Sequence, residues 1–164
     1  MLDFEPKFDF GKSYGLCPVQ NFVFCSLELF EEMRSTQKVS VWPVGIVGGL
    51  MVEKPKIDTN GKVIGWDVTW SPQRPFAIDM AGFAVNVNLF LSKTKAKFAY
   101  QVQRGHQESE FLRHLVSSLE ELEPKAELCT KVLVWHTRSE KADLKMEDRR
   151  KKQGQELSDH LMEV

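Results

Sequence analysis

The chain has 164 residues, of which 42% are hydrophobic and 27% charged, and its net charge is −1. That length carries one domain with its own core, and the balanced charge excludes the basic excess of proteins that bind nucleic acid or anionic membranes. Three cysteines, Cys17, Cys25 and Cys129, supply neither a disulfide framework nor a zinc spacing, and no apolar run approaches the roughly 20 residues of a membrane span.

Residues 1–25 hold Phe4, Phe8, Phe10, Phe22 and Phe24 among glycines and prolines, with no periodic element and no signal-peptide pattern. From Leu27 to Ser35 a helix is expected, with Leu27, Phe30, Glu31 and Arg34 on a 3.6-residue period. VSVWPVGIVGGL (39–50) reads as an apolar strand punctuated by Pro43, and MVEKPKI (51–57) continues extended. DTNGKV (58–63) predicts a hairpin, because Asn60-Gly61 suits a type I′ turn. VIGWDVTW (63–70) is the return strand. SPQRPFAIDMAGFAV (71–85) predicts a loop and then a helix capped by Asp79, with Ala81, Phe83, Ala84, Val87, Phe90 and Leu91 on its buried face. QESEFLRHLVSSL (107–119) predicts an amphipathic helix turning Phe111, Leu112, Leu115 and Val116 inward, and TKVLVWHTR (130–138) a buried strand. From Ser139 the charged tail is expected to be mobile or draped on a partner.

Polar groups that follow strands or open helices mark four places for chemistry. In WSPQRPFAIDM, Trp70 offers a stacking face beside Arg74 and Asp79, an arrangement that holds a sugar; a loop salt bridge beside a core tryptophan reads equally from these residues. In RGHQES, Glu108 lies close to Arg104 and His106 and suits a general base, or simply a first-turn acid. His136 and Arg138 follow a buried strand, where open α/β sheets place ligand groups, and suit a phosphate or merely water. In VGGLMVE, Gly48-Gly49 permits a close backbone approach ahead of Glu53, or marks a bulge; it is no nucleotide signature.

Taken together, VSVWPVGIVGGL, GKVIGWDVTW, RPFAIDMAGFAV, ESEFL, ELEPKAELCTKVLVWHTRSEK and the final MEV resemble the β-1,3-glucuronosyltransferases in order and spacing, from Ser26 to about Lys141. Arg104-Gly105-His106 and the Lys-Gln-Gly before Gln155 are similar to the branch that builds the proteoglycan linkage region. The resemblance implies an α/β fold, the C-terminal acceptor-binding half of a GT-A-type nucleotide-diphospho-sugar transferase, with a mixed sheet flanked by helices. It implies transfer of glucuronic acid from UDP-glucuronate to the 3-hydroxyl of a terminal galactose, with inversion, on a galactosyl-galactosyl-xylosyl core protein. Glu108 matches the catalytic base. Glu53, Trp70, Arg74 and Asp79 match acceptor-binding positions, and Arg104, His136 and Arg138 match positions near the donor phosphates. A manganese ion, a Golgi-lumenal location behind a membrane anchor, and a homodimer through the C-terminal half are implied in the same way.

The segment before the helix departs from the resemblance. The family places an acidic triplet there to hold manganese, whereas Val19 to Leu27 contains no carboxylate, and a hard divalent cation wants oxygen ligands. The expected organisation is an atypical leader over 1–25, the acceptor-binding half over 26–141 and a charged tail over 142–164. Phe22 to Ser26 back-translates as a pyrimidine-rich run ending in a splice-like YAG, so the leader reads as translated intron or an alternative first exon. On that reading the strands at 39–50 and 130–138 lack partners, and the chain is a catalytically inactive acceptor-binding or dimerisation fragment. Met146 stands where a partner-reaching glutamine is expected, and Leu128 where the family often has a glycosylated asparagine.

Overall fold

The computed structural model describes residues 22–137 and 141–163. The chain starts with strand β1 (Phe22–Cys25) and helix α1 (Leu27–Arg34). Ser26 caps α1 by accepting the Glu28 amide at 3.2 Å. The helix is where the periodicity predicts it. Leu29 is buried, while Leu27 is 83% exposed and Phe30 is 48% exposed.

The apolar run at 39–50 is two strands in two sheets. β2 (Val39–Val41) runs between β6 (Phe83–Val85), antiparallel, and β7 (Leu122–Pro124), parallel. With both neighbours in place, all three β2 residues are buried, including Ser40, whose hydroxyl meets that of Thr36 at 2.7 Å. Pro43 has no amide to extend that ladder, and the chain crosses into the larger sheet as β3 (Val44–Val47). The larger sheet has the order β1-β8-β3-β4-β5, with β4 spanning Leu50–Ile57, β5 Val63–Asp67 and β8 Val134–Thr137. β3 and β8 are parallel and the other pairs are antiparallel. The expected missing partners are therefore present: β3 lies between β8 and β4, and β8 between β1 and β3. The strand that closes the β8 side is β1, formed by residues in which the sequence showed no period.

The double positive φ that the sequence predicts at Asn60-Gly61 is found instead at Gly48-Gly49, where a close backbone approach or a bulge was expected. Gly48 and Gly49, at φ 63° and 80°, join Val47 to Leu50 in a two-residue loop with the double positive φ of a type I′ turn. At Asp58–Lys62 only Gly61 has a positive φ, 74°. The Asp58 carboxylate builds this wider turn by accepting the Asn60 and Lys62 amides at 2.9 and 2.7 Å.

The helix expected across 79–91 is a 3₁₀ turn (Met80–Gly82), β6 and a short α2 (Val87–Ser92). Asp79 caps the turn as predicted, accepting the Ala81 amide at 2.8 Å. Because β6 pairs with β2, the 3.6-residue period is broken, and Val87, Phe90 and Leu91 face outward. α3 covers only Gln107–Leu112, yet Phe111, Leu112, Leu115 and Val116 are all buried. Ala126–Cys129 forms α4, a single turn with every φ positive. Left-handed backbone costs roughly 1–2 kcal/mol per residue. Burial of Ala126 and Cys129 and the amide bond from Lys125 to Val41 O hold it in place.

The tail is folded onto its own chain. Helix α5 (Lys145–Lys152) lies along β4, and Arg150 clasps Asp67 of β5 at 2.6 Å. One hydrophobic cluster gathers Trp66, Phe76, Phe111 and Leu112 between the small sheet, β5 and α3. The other gathers Leu29, Trp42, Val44 and Leu133 under α1. Trp42 is 1% exposed and donates its indole N–H to Ala81 O at 2.9 Å. Replacing it with alanine is expected to cost about 3–5 kcal/mol in a urea unfolding curve. Phe30→Ala, on the exposed face of α1, should stay within about 0.5 kcal/mol.

Candidate active site

The end of β3, the β5–β6 loop, the segment before α3, the end of β8 and the tail converge on a cleft of about 850 Å³. Its lining comprises Ile46–Gly49, Trp70, Asp79, Arg104, His136 and Thr137, with Ala142, Asp143 and Lys145 from the tail. Four of the eight predicted site residues, Trp70, Asp79, Arg104 and His136, thus line one cavity. Arg138 lies outside the described residues.

Arg74 organises the loop beneath Trp70. Its Nη1 donates to Gly105 O at 2.7 Å, Nη2 to Trp70 O at 3.3 Å and Nε to Ser71 O at 3.2 Å. Its guanidinium also stacks 4.5 Å from the Trp70 ring centre. His106 meets the same ring edge-on at 5.7 Å. Gly105 is the residue on which this fit depends: its φ is 74°, and any side chain there would run into the Trp70 ring. Arg74 thus spends its donors on carbonyls rather than in a loop salt bridge, and Trp70 offers a half-exposed ring to the cleft instead of lying in the core.

Glu108 is in the first turn of α3. Burial pushes its carboxyl above the ordinary range, its own amide draws it down, Asp79 pushes up, and Arg74 and His106 draw down. Its Oε2 is buried without a hydrogen-bond partner among the described residues. Ser109 anchors the helix beside it: the hydroxyl donates to Phe76 O at 2.7 Å and accepts the Phe76 amide at 3.3 Å. Sequence reading missed Ser109, although a polar residue on the inward face of an amphipathic segment was its signal.

Asp79 and His136 form a pair across two elements, His136 Nε2 to Asp79 Oδ1 at 2.8 Å. Burial raises the Asp79 carboxyl, but the His136 bond and the Ala81 amide more than offset it, and the group sits below its ordinary value. Glu53 lies behind the Gly48-Gly49 turn and is 7% exposed. Burial, then repulsion from Asp79, pushes it up to about 7, against the pull of the Thr69 amide and Arg74. The glycine pair thus makes room for the chain's own carboxylate, since a side chain on Gly48 would collide with it.

Among the described residues no group of three or more His, Cys, Asp and Glu side chains could hold a metal ion. The residues ahead of α1 form β1, where Val23 and Phe24 offer hydrocarbon to solvent. The described residues therefore do not fit the manganese that the resemblance implies.

A model of glycosyltransferase family 43 matches residues 23–140. Galactosylgalactosylxylosylprotein 3-beta-glucuronosyltransferase 1 of Homo sapiens is 62% identical over 117 residues, covering 71% of this chain and 35% of that protein. The human protein numbered 2 in that series is 61% identical over 120 residues, 73% of this chain and 36% of its own length. The Drosophila melanogaster protein I is 54% identical over 142 residues, 85% of this chain and 46% of its own. The chain therefore spans between about a third and a half of the relatives it matches.

Glu53 binds more protons folded than unfolded between its ordinary value of 4.5 and about 7. Stability is lost as pH rises through that window. Glu53→Gln is expected to raise the melting temperature most above pH 7, where the wild type carries a buried charge, with the gain fading towards pH 4. Thermal unfolding of both chains across pH 4–9 measures it.

Proposed function

The chain belongs to glycosyltransferase family 43, and on that premise we propose that it forms the acceptor-binding side of a β-1,3-glucuronosyltransferase that acts on the proteoglycan linkage region. The observation that carries the reading is the convergence of Trp70, Asp79, Arg104 and His136 on one cleft, with a half-buried, proton-hungry Glu108 coupled electrostatically to Asp79 and Arg74. A terminal galactose stacks its apolar face on Trp70. Asp79, and Glu53 once its proton is placed, accept from the sugar hydroxyls.

In the proposed reaction the galactose 3-hydroxyl gives its proton to Glu108 as its oxygen bonds to the anomeric carbon of glucuronate. The bond from that carbon to the UDP oxygen breaks on the opposite face, which inverts the centre. A carboxyl whose proton affinity is raised by burial suits this base role better than a water-exposed one. Arg104 and His136, with Lys145 from the tail, supply positive charge to the same cleft and would stabilise the departing diphosphate. A GT-A-type fold, a homodimer and a Golgi-lumenal setting are proposed on the resemblance. No helix among the described residues is long and apolar enough to cross a membrane.

A second reading, binding of acceptor without transfer, fits the hydrocarbon that Val23 and Phe24 present directly ahead of α1. Titration with the disaccharide galactosyl-β-1,3-galactose, followed by amide NMR, tests what the two readings share. Saturable binding that Trp70→Ala weakens about tenfold is expected; a folded chain that does not respond overturns both. Glu108→Gln should bind the disaccharide as the wild type does. In an assay with UDP-glucuronate, any transfer by the wild type should fall about 10²–10⁴-fold in that variant. Measurable transfer by the wild type decides for the enzyme, and none for the binding module.

A further inference from the structure

We infer that Glu147, on the tail helix, is a positioning residue for Glu53: it fixes the start of β4 and, with the neighbouring helix amides, the glycine turn that covers the Glu53 carboxyl. Glu147 is buried although it belongs to a helix of charged residues. One carboxylate oxygen accepts the Met51 amide at 3.0 Å and the Ser158 hydroxyl; the other accepts the Ser158 amide at 2.8 Å. The Ser158 hydroxyl in turn accepts the Val52 amide at 3.0 Å. The two residues that precede Glu53 on β4 are thus held by the tail through their N–H groups.

The turn is held from both sides. Gly49 O accepts the amides of Met146 and Glu147, both at 3.1 Å. The Thr69 hydroxyl donates to Gly48 O at 2.8 Å, and the Thr69 amide reaches Glu53. Gly48 lies directly over the Glu53 carboxyl, so the tail, the turn and the buried acid move as one unit. The arrangement also explains why Glu147 is present. An ordinary helix-face glutamate would be solvated, whereas this one converges on four donor groups of β4 and the chain end, three directly and one through Ser158. Burial pushes Glu147 up, and the Ser158 and Met51 donors and Arg150 more than offset it, which keeps the carboxylate ionised as the geometry requires.

The charged groups that face Glu53 come from four elements. Asp79 comes from the residue before the 3₁₀ turn, Arg74 from the β5–β6 loop, Asp67 from β5 and Arg150 from α5. Loosening the tail clamp leaves those charges in the chain and admits water to Glu53. Its titration then moves down, towards the ordinary carboxylate range. The effect on sugar affinity rests on the reading of Glu53 as an acceptor-binding group; the effect on its titration does not.

The test uses the whole chain with Glu147→Gln, with Ser158→Ala, and with Lys152→Ser on the exposed side of α5 as control. Carbon-13 NMR of the side-chain carboxyls reads the Glu53 titration, and amide NMR reads the dissociation constant for galactosyl-β-1,3-galactose. In Glu147→Gln and Ser158→Ala the Glu53 midpoint should fall by about one unit and the dissociation constant rise about tenfold, while Lys152→Ser changes neither. Glu147→Gln reverses the polarity of one oxygen that accepts amides; should it fail to fold, Ser158→Ala decides alone. A folded variant whose Glu53 titrates with the wild type overturns the inference. A shifted titration in a chain that never binds the disaccharide upholds the positioning role and removes the sugar from the account of Glu53.

Discussion

The cleft depends on one buried guanidinium. Arg74 donates to the carbonyls of Ser71, Trp70 and Gly105 and stacks on the Trp70 ring. It thereby ties the loop after β5 to the segment that opens α3. The same cation lies among Glu53, Asp79 and Glu108, each of which it stabilises in the ionised form. Three carboxylates packed together without it would repel one another and lose hydration, a cost of several kcal/mol per ion. With it, Asp79 stays ionised beside two glutamates whose proton affinity is raised. A lysine would supply the charge but not the planar fork that reaches three carbonyls at once.

Around that cation the fold divides the work between backbone and tail. The Pro43 crossing moves the chain from the small sheet to the large one and so sets the β3–β4 turn in the cleft lining. The turn needs two glycines because both residues have positive φ and one of them covers a carboxyl. α5 then locks the turn in place, although its sequence carries one of the densest runs of charge in the chain. Composition alone assigns such a segment to solvent. Here its glutamate and one of its arginines have found fixed partners, and only the remaining charges face water.

The fold was legible in the sequence wherever one element meets one face of the core. The inward face of α3, the Asp79 cap and the buried β8 run all match their patterns. Legibility failed where tertiary pairing outweighed local period. Phe83–Val85 reads as helix but is claimed by β2, and the period through Leu27 and Phe30 marks the α1 face that points to water while Leu29 is buried. The type I′ turn expected at Asn60-Gly61 is absent because the Asp58 side chain supplies hydrogen bonds that favour a wider loop. The site residues were visible one stretch at a time, but their convergence was not. Nothing local says that His136 meets Asp79 across 57 positions, and Glu147 was invisible because its partners, Met51 and Ser158, carry no chemistry of their own.

The spread of carboxyl affinities gives the strongest physical argument about roles. Asp79 is held low by a histidine and an amide, whereas Glu53 and Glu108 are held high by burial. A site in which neighbouring acids are driven apart in this way separates a fixed anion from groups that can take up a proton. Asp79, already bound to His136, is the fixed anion, and it raises both glutamates by repulsion. Glu53 lies beneath the glycine turn and is 7% exposed. Of the two proton-hungry acids, Glu108 keeps the oxygen that no described group satisfies, and this is the physical support for the base role proposed for it.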